Sequence, residues 1–239
     1  MSSAAPSPFH HYDLLGGDEV RHWREVVHHL RQVWIARDPE LPFFTLGAAA
    51  YLDVSRGPGI YEQFWRLYNP LLLEAFAPLL QQVQACLAQH LGTPVAWHPQ
   101  AAVPGFHIFQ AHPAFCGTGG KVHLDLQYQN LSWEGMGEPD GNSVLSFTLP
   151  LALPTAGGGL KWWGDPSAQR WMTLSAVEKE RATAPGTESY LPYKTGRLVL
   201  HSGHVLHQIA PGREFDPRDE RITLQGHGLQ VGGRFLCYW

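Results

Sequence analysis

The sequence changes character near residue 92, and this change restricts the possible folds more than any other feature. Between residues 18 and 91, apolar residues recur at three- and four-residue spacing, which predicts amphipathic helices. From Thr93 onward, short apolar stretches alternate with Gly- and Pro-containing segments, a pattern typical of successive β-strands. The two parts together predict an α+β domain with helices packed on one sheet. The many short strands, joined by hairpin-like loops, favour a double-stranded β-helix, or jelly roll.

Glycine and proline residues divide the chain into predicted elements. Helices are expected over 18–34, with Asp18 as N-cap, and over 60–68 and 70–91, with extended chain over 41–54. Asn69-Pro70 separates the last two helices, and Gly92 ends the second. The strands are expected over 95–98, 105–112, 122–129, 143–151, 159–163, 198–201, 205–209, 222–229 and 234–239.

These elements predict a single domain. Residues 1–17 are expected to form a flexible N-terminus, because they are polar and contain Pro and Ser. Residues 18–239 form the domain, with 18–92 as the helical layer and 93–239 as the jelly-roll core. The longest irregular stretch is 164–189, which contains a short helical pattern, and a long loop of this kind often serves as a lid or binding loop.

Composition and charge exclude several classes of protein. The net charge of −4 provides no basic surface for nucleic acid. No stretch approaches the roughly 20 apolar residues of a membrane span, and the first residues lack the features of an export signal. The three cysteines have no CxxC spacing, which argues against a disulfide framework and a cysteine zinc site. We therefore expect a cytoplasmic protein that binds neither nucleic acid nor membranes; its oligomeric state stays open.

Residues 121–127, with the sequence KVHLDLQ, contain the first candidate for chemistry. In a strand, His123, Asp125 and Gln127 share one face, while the apolar residues between them share the other. An imidazole and a carboxylate two residues apart can supply two ligands of a metal site. The alternative interpretation is a surface strand whose polar side chains are solvated.

Residues 196–212 follow the pattern of a buried strand that ends in a histidine cluster. His201, His204 and His207 are the candidates for a third ligand. In a regular strand, His201 and His207 share a face and His204 lies on the other, so two candidates remain. Two histidines and one carboxylate on one face of an octahedron suit a non-haem Fe(II) oxygenase.

Arg221 immediately precedes the strand predicted over 222–229. If the extended chain includes it, Arg221 and Thr223 share one face. A buried arginine needs an anionic partner, because leaving its charge unpaired is very costly. The planar guanidinium matches a carboxylate, and a neighbouring hydroxyl adds a donor, so the pair predicts a carboxylate-binding site. The alternatives are an internal salt bridge, for example to Glu220 or Asp219, and an exposed strand end.

Taken together, His123-Leu-Asp125, His207 and Arg221-Ile-Thr223 resemble the motifs of the Fe(II)/2-oxoglutarate-dependent dioxygenases. In that family, a His-x-Asp pair and a distal histidine hold the iron. An Arg-x-Ser/Thr pair shortly after the distal histidine holds the far carboxylate of 2-oxoglutarate, and here Arg221 comes 14 residues after His207. The resemblance covers residues 100–239 and selects His207 as the distal ligand, with His201 where the family commonly has Phe.

The resemblance implies an oxidoreductase that uses Fe(II), 2-oxoglutarate and O2. Asp125 is present, whereas halogenating members replace this carboxylate with a small residue, so hydroxylation or desaturation of a C–H bond is expected. The expected substrate is a small molecule, such as an amino acid, a peptide or a natural-product intermediate. His107 is expected near the 1-carboxylate end of 2-oxoglutarate, and Gln127 near 2-oxoglutarate or substrate unless it makes a structural hydrogen bond.

Two other classes of protein remain compatible with these residues. One is a metal-dependent isomerase or hydrolase on the same barrel, which would use the metal triad without 2-oxoglutarate. The other is a non-catalytic barrel that binds a metal or a ligand. Neither alternative requires Arg221 to bind 2-oxoglutarate productively.

Overall fold

The computed structural model describes residues 7–57, 59–117 and 119–239 of the chain. The helices are α1 (Gly17–His29), α2 (Ala50–Asp53), α3 (Ile60–Ala75), α4 (Ala77–Leu91), α5 (Ala168–Thr173) and α6 (Ala176–Ala182). The strands are β1 (Phe9–Asp13), β2 (Ile35–Ala36), β3 (Phe43–Leu46), β4 (Val95–Trp97), β5 (Gly105–Gln110), β6 (Leu145–Ala152), β7 (Leu160–Trp163), β8 (Ser189–Leu191), β9 (Arg197–Ser202), β10 (Leu206–Ile209), β11 (Glu220–Val231) and β12 (Arg234–Tyr238).

The strands form one large and one small sheet. The large sheet has nine strands in the order β1-β9-β6-β11-β5-β3-β2, with β12 paired to β11 and β4 paired to β12. The small sheet has the order β10-β7-β8. All pairings are antiparallel except that of β12 with β4. This combination of helices with antiparallel sheets confirms the predicted α+β class.

The main hydrophobic core joins helical and strand residues in one cluster. Val27 of α1, Leu72 of α3 and Val83 of α4 belong to the same buried cluster as strand residues such as Leu149 and Leu224. At the break between α3 and α4, the Phe76 ring lies 4.6 Å from that of Phe106 on β5 and 5.9 Å from that of Trp23 on α1. Burial of these apolar side chains is the dominant favourable term in folding.

The helix boundary near Pro70 differs from the sequence prediction. Helix α3 continues through Pro70, and the break between α3 and α4 lies at Phe76. Proline costs the helix one backbone hydrogen bond. The burial of Tyr68 and Leu72 on either side of Pro70 stabilises the continuous helix instead. Gly92 ends α4 in the left-handed conformation, as predicted.

Two N-terminal predictions are also wrong in part. Residues Phe9–Asp13 were expected to be flexible, but they pair with β9 at the edge of the large sheet, and Phe9 is buried. Residues 1–6 lie outside the described residues. Of the predicted extended segment 41–54, only Phe43–Leu46 is a strand, because the Asp53 carboxylate accepts the Ala49 backbone N–H and so stabilises the start of α2.

Within the described residues, no single helix is long and apolar enough to cross a membrane. Helices α3 and α4 reach that length and composition only as a pair, and the pair is bent by 92°.

Candidate metal centre

The segment that contains His123 and Asp125 is irregular, so the strand predicted over 122–129 is wrong. His123 exchanges two backbone hydrogen bonds with His207, with N···O distances of 2.9 and 3.0 Å, as an isolated bridge. The Asp125 N–H donates to the Gly203 carbonyl at 2.9 Å, and the chain then enters a 3-10 helix at Gln127–Asn130. The short segment is attached to the turn between β9 and β10, and this attachment brings His123 and Asp125 to His207.

The three predicted ligands converge. The Asp125 carboxylate lies between the two imidazoles, with Oδ1 3.6 Å from His123 Nε2 and Oδ2 3.5 Å from His207 Nε2. One ligand atom from each residue lies within 4.8 Å of the other two, which is compatible with a single metal ion. Asp125 and His207 are buried, whereas the His123 side chain is 41% exposed, so solvent reaches the site at His123.

The backbone orients both imidazoles for metal binding. His123 Nδ1 lies 2.7 Å from the Lys121 carbonyl oxygen, and His207 Nδ1 lies 2.8 Å from that of Val205. A carbonyl oxygen can only accept, so Nδ1 carries the proton in both rings and Nε2 keeps its lone pair. This arrangement is usual for metal-binding histidines, whose second nitrogen donates to a carbonyl or carboxylate.

The charges around the site favour the ligand forms. Burial by itself raises the pKa of Asp125, but electrostatic interaction with the His207, His227 and His123 imidazoles lowers it more, so this pKa lies well below its ordinary value. Burial lowers the pKa of His207 to about 3. A carboxylate and a neutral imidazole are the forms that coordinate a metal, so both residues are ready to bind without first losing a proton.

The other two histidines of the cluster occupy different positions. His201 is the penultimate residue of β9 in the large sheet and His207 lies on β10 in the small sheet, so the comparison of their faces within one regular strand does not apply. The His201 ring packs edge-on to that of His207, with centroids 4.8 Å apart. His204 lies in the turn, where its Nδ1 is 3.4 Å from the Ser202 hydroxyl.

Gln127 lies beside the metal-binding carboxylate. Its amide Nε2 donates to Asp125 Oδ1 at 3.1 Å, the structural hydrogen bond that the sequence left open. In the part of the chain that the structure describes, its buried Oε1 has no hydrogen-bond partner.

Arg221 is the second residue of β11 and is only 6% exposed. Its Nε donates to the Gly158 carbonyl at 3.1 Å and its Nη1 to Thr223 Oγ1 at 3.2 Å. Among the described residues, Nη2 has no hydrogen-bond partner and no carboxylate lies within 4.0 Å of the guanidinium. Burial lowers the pKa of Arg221. A buried guanidinium without a counter-ion is the arrangement expected of an anion-binding site.

The salt-bridge alternative for Arg221 is therefore wrong. Glu220 forms an ion pair with Arg24 of α1 instead, and its carboxylate also lies within hydrogen-bonding distance of His28 Nε2. Asp219 accepts hydrogen bonds from the Thr155 backbone N–H and hydroxyl. Both acids that the sequence offered as partners are occupied elsewhere.

His107 is directly opposite Thr223 across the β5–β11 pair. Its Nε2 lies 2.5 Å from the Tyr51 hydroxyl, whereas its buried Nδ1 has no partner within the described chain. Burial and then the charges of Arg221 and Arg37 hold the pKa of His107 well below its ordinary value, so the ring is neutral. The structure thus places His107 next to the Arg221–Thr223 pair.

Several residues near the site were not predicted. Tyr51 on α2 contacts His107, and the ring centre of Tyr193, before β9, lies 5.9 Å from the Arg221 guanidinium. Neither tyrosine gives a signal in the sequence. His227 does: on β11, polar side chains alternate with apolar ones from Arg221 onward. His227 Nδ1 lies 3.1 Å from Ser146 Oγ and 3.8 Å from Asp125 Oδ2. Extending the Arg-x-Thr alternation by four residues would have found it.

Comparison with known proteins gives structural but no sequence relatives. No family model matches the chain, and no curated protein matches it. Among solved structures, an N-substituted L-amino acid dioxygenase from Burkholderia ambifaria has a TM-score of 0.58 at 13% identity, over 98% of this chain and 86% of that one.

The chain has the fold of the Fe(II)/2-oxoglutarate-dependent oxygenases. Two further structures agree. HygX from Streptomyces hygroscopicus, solved with nickel, 2-oxoglutarate and hygromycin B, has a TM-score of 0.50 at 14% identity, over 92% of this chain and 82% of that one. The α-ketoglutarate-dependent epimerase SnoN of nogalamycin biosynthesis has a TM-score of 0.51 at 11% identity, over 93% and 79%. The jelly-roll core predicted from the sequence is thereby confirmed.

Proposed function

We propose that the protein is an Fe(II)/2-oxoglutarate-dependent oxygenase that hydroxylates or desaturates a C–H bond of a small molecule. The observation that supports this most is the pairing of two features in one barrel. A His-Asp-His triad has its Nε2 and carboxylate atoms free for a metal. On β11, the buried Arg221 has no protein counter-ion among the described residues.

Each residue has a separate task in this proposal. His123, Asp125 and His207 hold Fe(II), which together with 2-oxoglutarate and O2 supplies the oxidising chemistry. Arg221 Nη2 and the Thr223 hydroxyl bind the far carboxylate of 2-oxoglutarate, because a planar guanidinium and a hydroxyl match its two oxygens. The metal and the arginine then define the two ends of the cosubstrate site.

Two further residues, His107 and Gln127, have roles in this proposal. The Tyr51 hydroxyl orients the neutral His107 ring through Nε2, which leaves Nδ1 as the atom that faces a ligand. We assign His107 to the cosubstrate, since it is opposite Thr223. Gln127 orients the Asp125 carboxylate through Oδ1, and its free amide oxygen is available to substrate.

The proposed substrate is a small molecule, such as an amino acid, a peptide or a natural-product intermediate. The Burkholderia structure is described as an N-substituted L-amino acid dioxygenase, and HygX was solved with hygromycin B. The net charge of −4 gives no surface for nucleic acid. We also propose that α1, α3 and α4 form the outer layer of the large sheet, as their shared core suggests, and that the protein works in the reducing cytoplasm.

The first experiment tests the metal and the cosubstrate together. Metal-free protein receives Fe(II) and then 2-oxoglutarate without oxygen, and the visible charge-transfer band of the chelate is recorded. We expect a band in the wild type and none in His207→Ala, which lacks a ligand. His204→Ala is the matched control and should keep the band, because His204 lies in the turn.

The possible outcomes separate the alternatives. Iron binding without a band on addition of 2-oxoglutarate would contradict the oxygenase and favour a metal-dependent isomerase or hydrolase. A band without succinate formation for any substrate tried would favour a non-catalytic binding barrel. Loss of the band in His204→Ala but not in His207→Ala would mean that the ligand assignment is wrong.

A further inference from the structure

Residues 164–189, which contain α5 and α6 and are called the insertion below, pack against residues that are next to the metal ligands along the chain. Trp171 of α5 is buried in a cluster with Trp163 and Leu206, and Val122 and Leu124 pack against the same cluster. Val122 and Leu124 flank His123 along the chain, and Leu206 immediately precedes His207. Apolar residues and ligands therefore alternate along both ligand-bearing segments, and the insertion contacts the apolar residues.

The insertion has the local contacts of a folded element. Ser167 and Ser175 accept the N3 backbone N–H at the starts of α5 and α6, and Glu178 completes a capping box with Ser175. The Lys179 ammonium of α6 lies 5.2 Å from the centre of the Trp171 ring. At the far end, Trp163 Nε1 donates to Thr187 Oγ1 at 3.0 Å and so attaches the returning chain to β7.

The segment that contains His123 and Asp125 needs such support. It is held by an isolated bridge to His207 and by single backbone hydrogen bonds, not by a continuous ladder of a strand. Hydrogen bonds of this kind contribute about 1 kcal/mol each, too little to fix two ligands precisely. Side-chain packing must then hold the segment in place. Val122 and Leu124 of this segment pack against the cluster around Trp171.

We propose that the 164–189 insertion is a brace for the metal centre, and that Trp171 is its positioning residue. Trp171 acts through Val122, Leu124 and Leu206 on the directions of the His123, Asp125 and His207 side chains. This role differs from that of a lid, which would act on the substrate and not on the metal ligands. This inference rests on the metal site of the proposed function.

The first test measures Co(II) binding to metal-free protein, with affinity and the visible d–d spectrum as readouts. We expect Trp171→Ala to weaken Co(II) affinity about 10- to 100-fold, the range for residues that orient metal ligands, and to change the spectrum. Trp171→Phe should recover most of both, because an aromatic ring still fills the space. Met172→Ala is the matched control, since Met172 is 60% exposed on the same helix, and should match the wild type.

The second test needs no substitution and therefore decides the question even if Trp171→Ala does not fold. Coupling between two sites is reciprocal, so a brace that strengthens metal binding must itself be stabilised by the metal. Hydrogen exchange of backbone amides over 168–182 should slow several-fold when Co(II) is added to the full-length protein. A lid coupled only to substrate would show no change with Co(II) alone.

The outcomes distinguish this inference from the proposed function. Wild-type protein that does not bind Co(II) would overturn both. Wild-type binding with unchanged affinity and spectrum in Trp171→Ala, or unchanged exchange over 168–182, would overturn the brace alone. Equal losses in Trp171→Ala and Met172→Ala would also overturn it, because the effect would then not come from the buried cluster.

Discussion

Two buried arginines of this domain have opposite surroundings. The Arg37 side chain is 3% exposed, pairs with the buried Asp53 carboxylate and donates to Thr45 Oγ1 at 2.7 Å. Arg221 is buried to a similar degree, yet its contacts are with a carbonyl and a hydroxyl, and within the described residues Nη2 has no partner. The first arginine is neutralised by the fold, whereas the second has no protein counter-ion among the described residues.

This difference supports the proposal that Arg37 has a structural role and Arg221 a functional one. A paired buried charge contributes to folding as long as both partners are present. An unpaired one costs folding free energy, so its presence requires an explanation outside the ligand-free fold. The candidate metal triad is also unlike the Arg37–Asp53 pair. One ligand atom of each of its residues lies within 4.8 Å of the other two, a geometry compatible with a bound metal.

The largest expected effect is on stability, at the paired arginine. Arg37→Ala removes the buried cationic partner of the Asp53 carboxylate and leaves it only the half-exposed Arg56, so we expect the free energy of unfolding to fall by about 3–5 kcal/mol. Urea denaturation measures this change. Arg56→Ala is the control, because Arg56 is 49% exposed and lies 3.6 Å from Asp53; it should cost less than about 1 kcal/mol. If the free energy of unfolding fell equally in Arg37→Ala and Arg56→Ala, burial of the ion pair would not explain the effect.

For Arg221, the unpaired arginine, we expect substitution to weaken ligand binding and to change stability little. Arg221→Leu leaves no acid without a partner, so we expect the free energy of unfolding to change by no more than about 1 kcal/mol, in keeping with apolar replacement of buried charges. Affinity for 2-oxoglutarate should fall by about 2–5 kcal/mol, measured by titration of the Fe(II) form. Arg218→Leu, at an exposed position, is the control. Unchanged 2-oxoglutarate affinity would place the anion site elsewhere.

Gln127 is an intermediate case, with one amide atom bonded and the other free. Gln127→Leu removes the hydrogen bond that orients Asp125, and we expect metal affinity to fall about 10- to 100-fold. Stability should change little, because an unpartnered buried acceptor is removed as well. Gln129→Leu, at an exposed position of the same 3-10 turn, should have no effect on a competition titration with a metal chelator. Unchanged metal affinity in Gln127→Leu would exclude this orienting role.

The smallest expected effect comes from a surface pair, Lys161–Glu188, with an N···O distance of 2.9 Å. Hydrogen bonding to Lys161 lowers the pKa of Glu188 from 4.5 to about 2. Because the folded pKa is the lower one, the pair stabilises the fold above pH 4.5 and this contribution is lost as the pH falls toward 2. Glu188→Gln should cost less than about 1 kcal/mol at pH 7 and nothing near pH 2. A constant cost over this range, in urea denaturation at several pH values, would exclude an electrostatic origin.

Much of the fold and of the metal centre could be predicted because both depend on local patterns. The alternation in β11 placed Arg221 and Thr223 on one face, and the spacing in HLD brought His123 and Asp125 to the same side even though the segment is not a regular strand. The boundary at Pro70 and the pairing of Phe9–Asp13 with β9 could not be predicted, because burial against distant residues decides them.

The family resemblance selected His207, whereas the patterns of the sequence itself determined the α+β class, the jelly-roll core and the pairing of His123 with Asp125. Residue type and period are sufficient for these, since they act over a few positions along the chain. Only the tertiary structure decided that Arg221 has no acid beside it among the described residues, that His107 is opposite Thr223, and that the 164–189 insertion packs behind the ligands. These are relations between residues far apart in sequence, and only the packing of the two sheets brings such residues together.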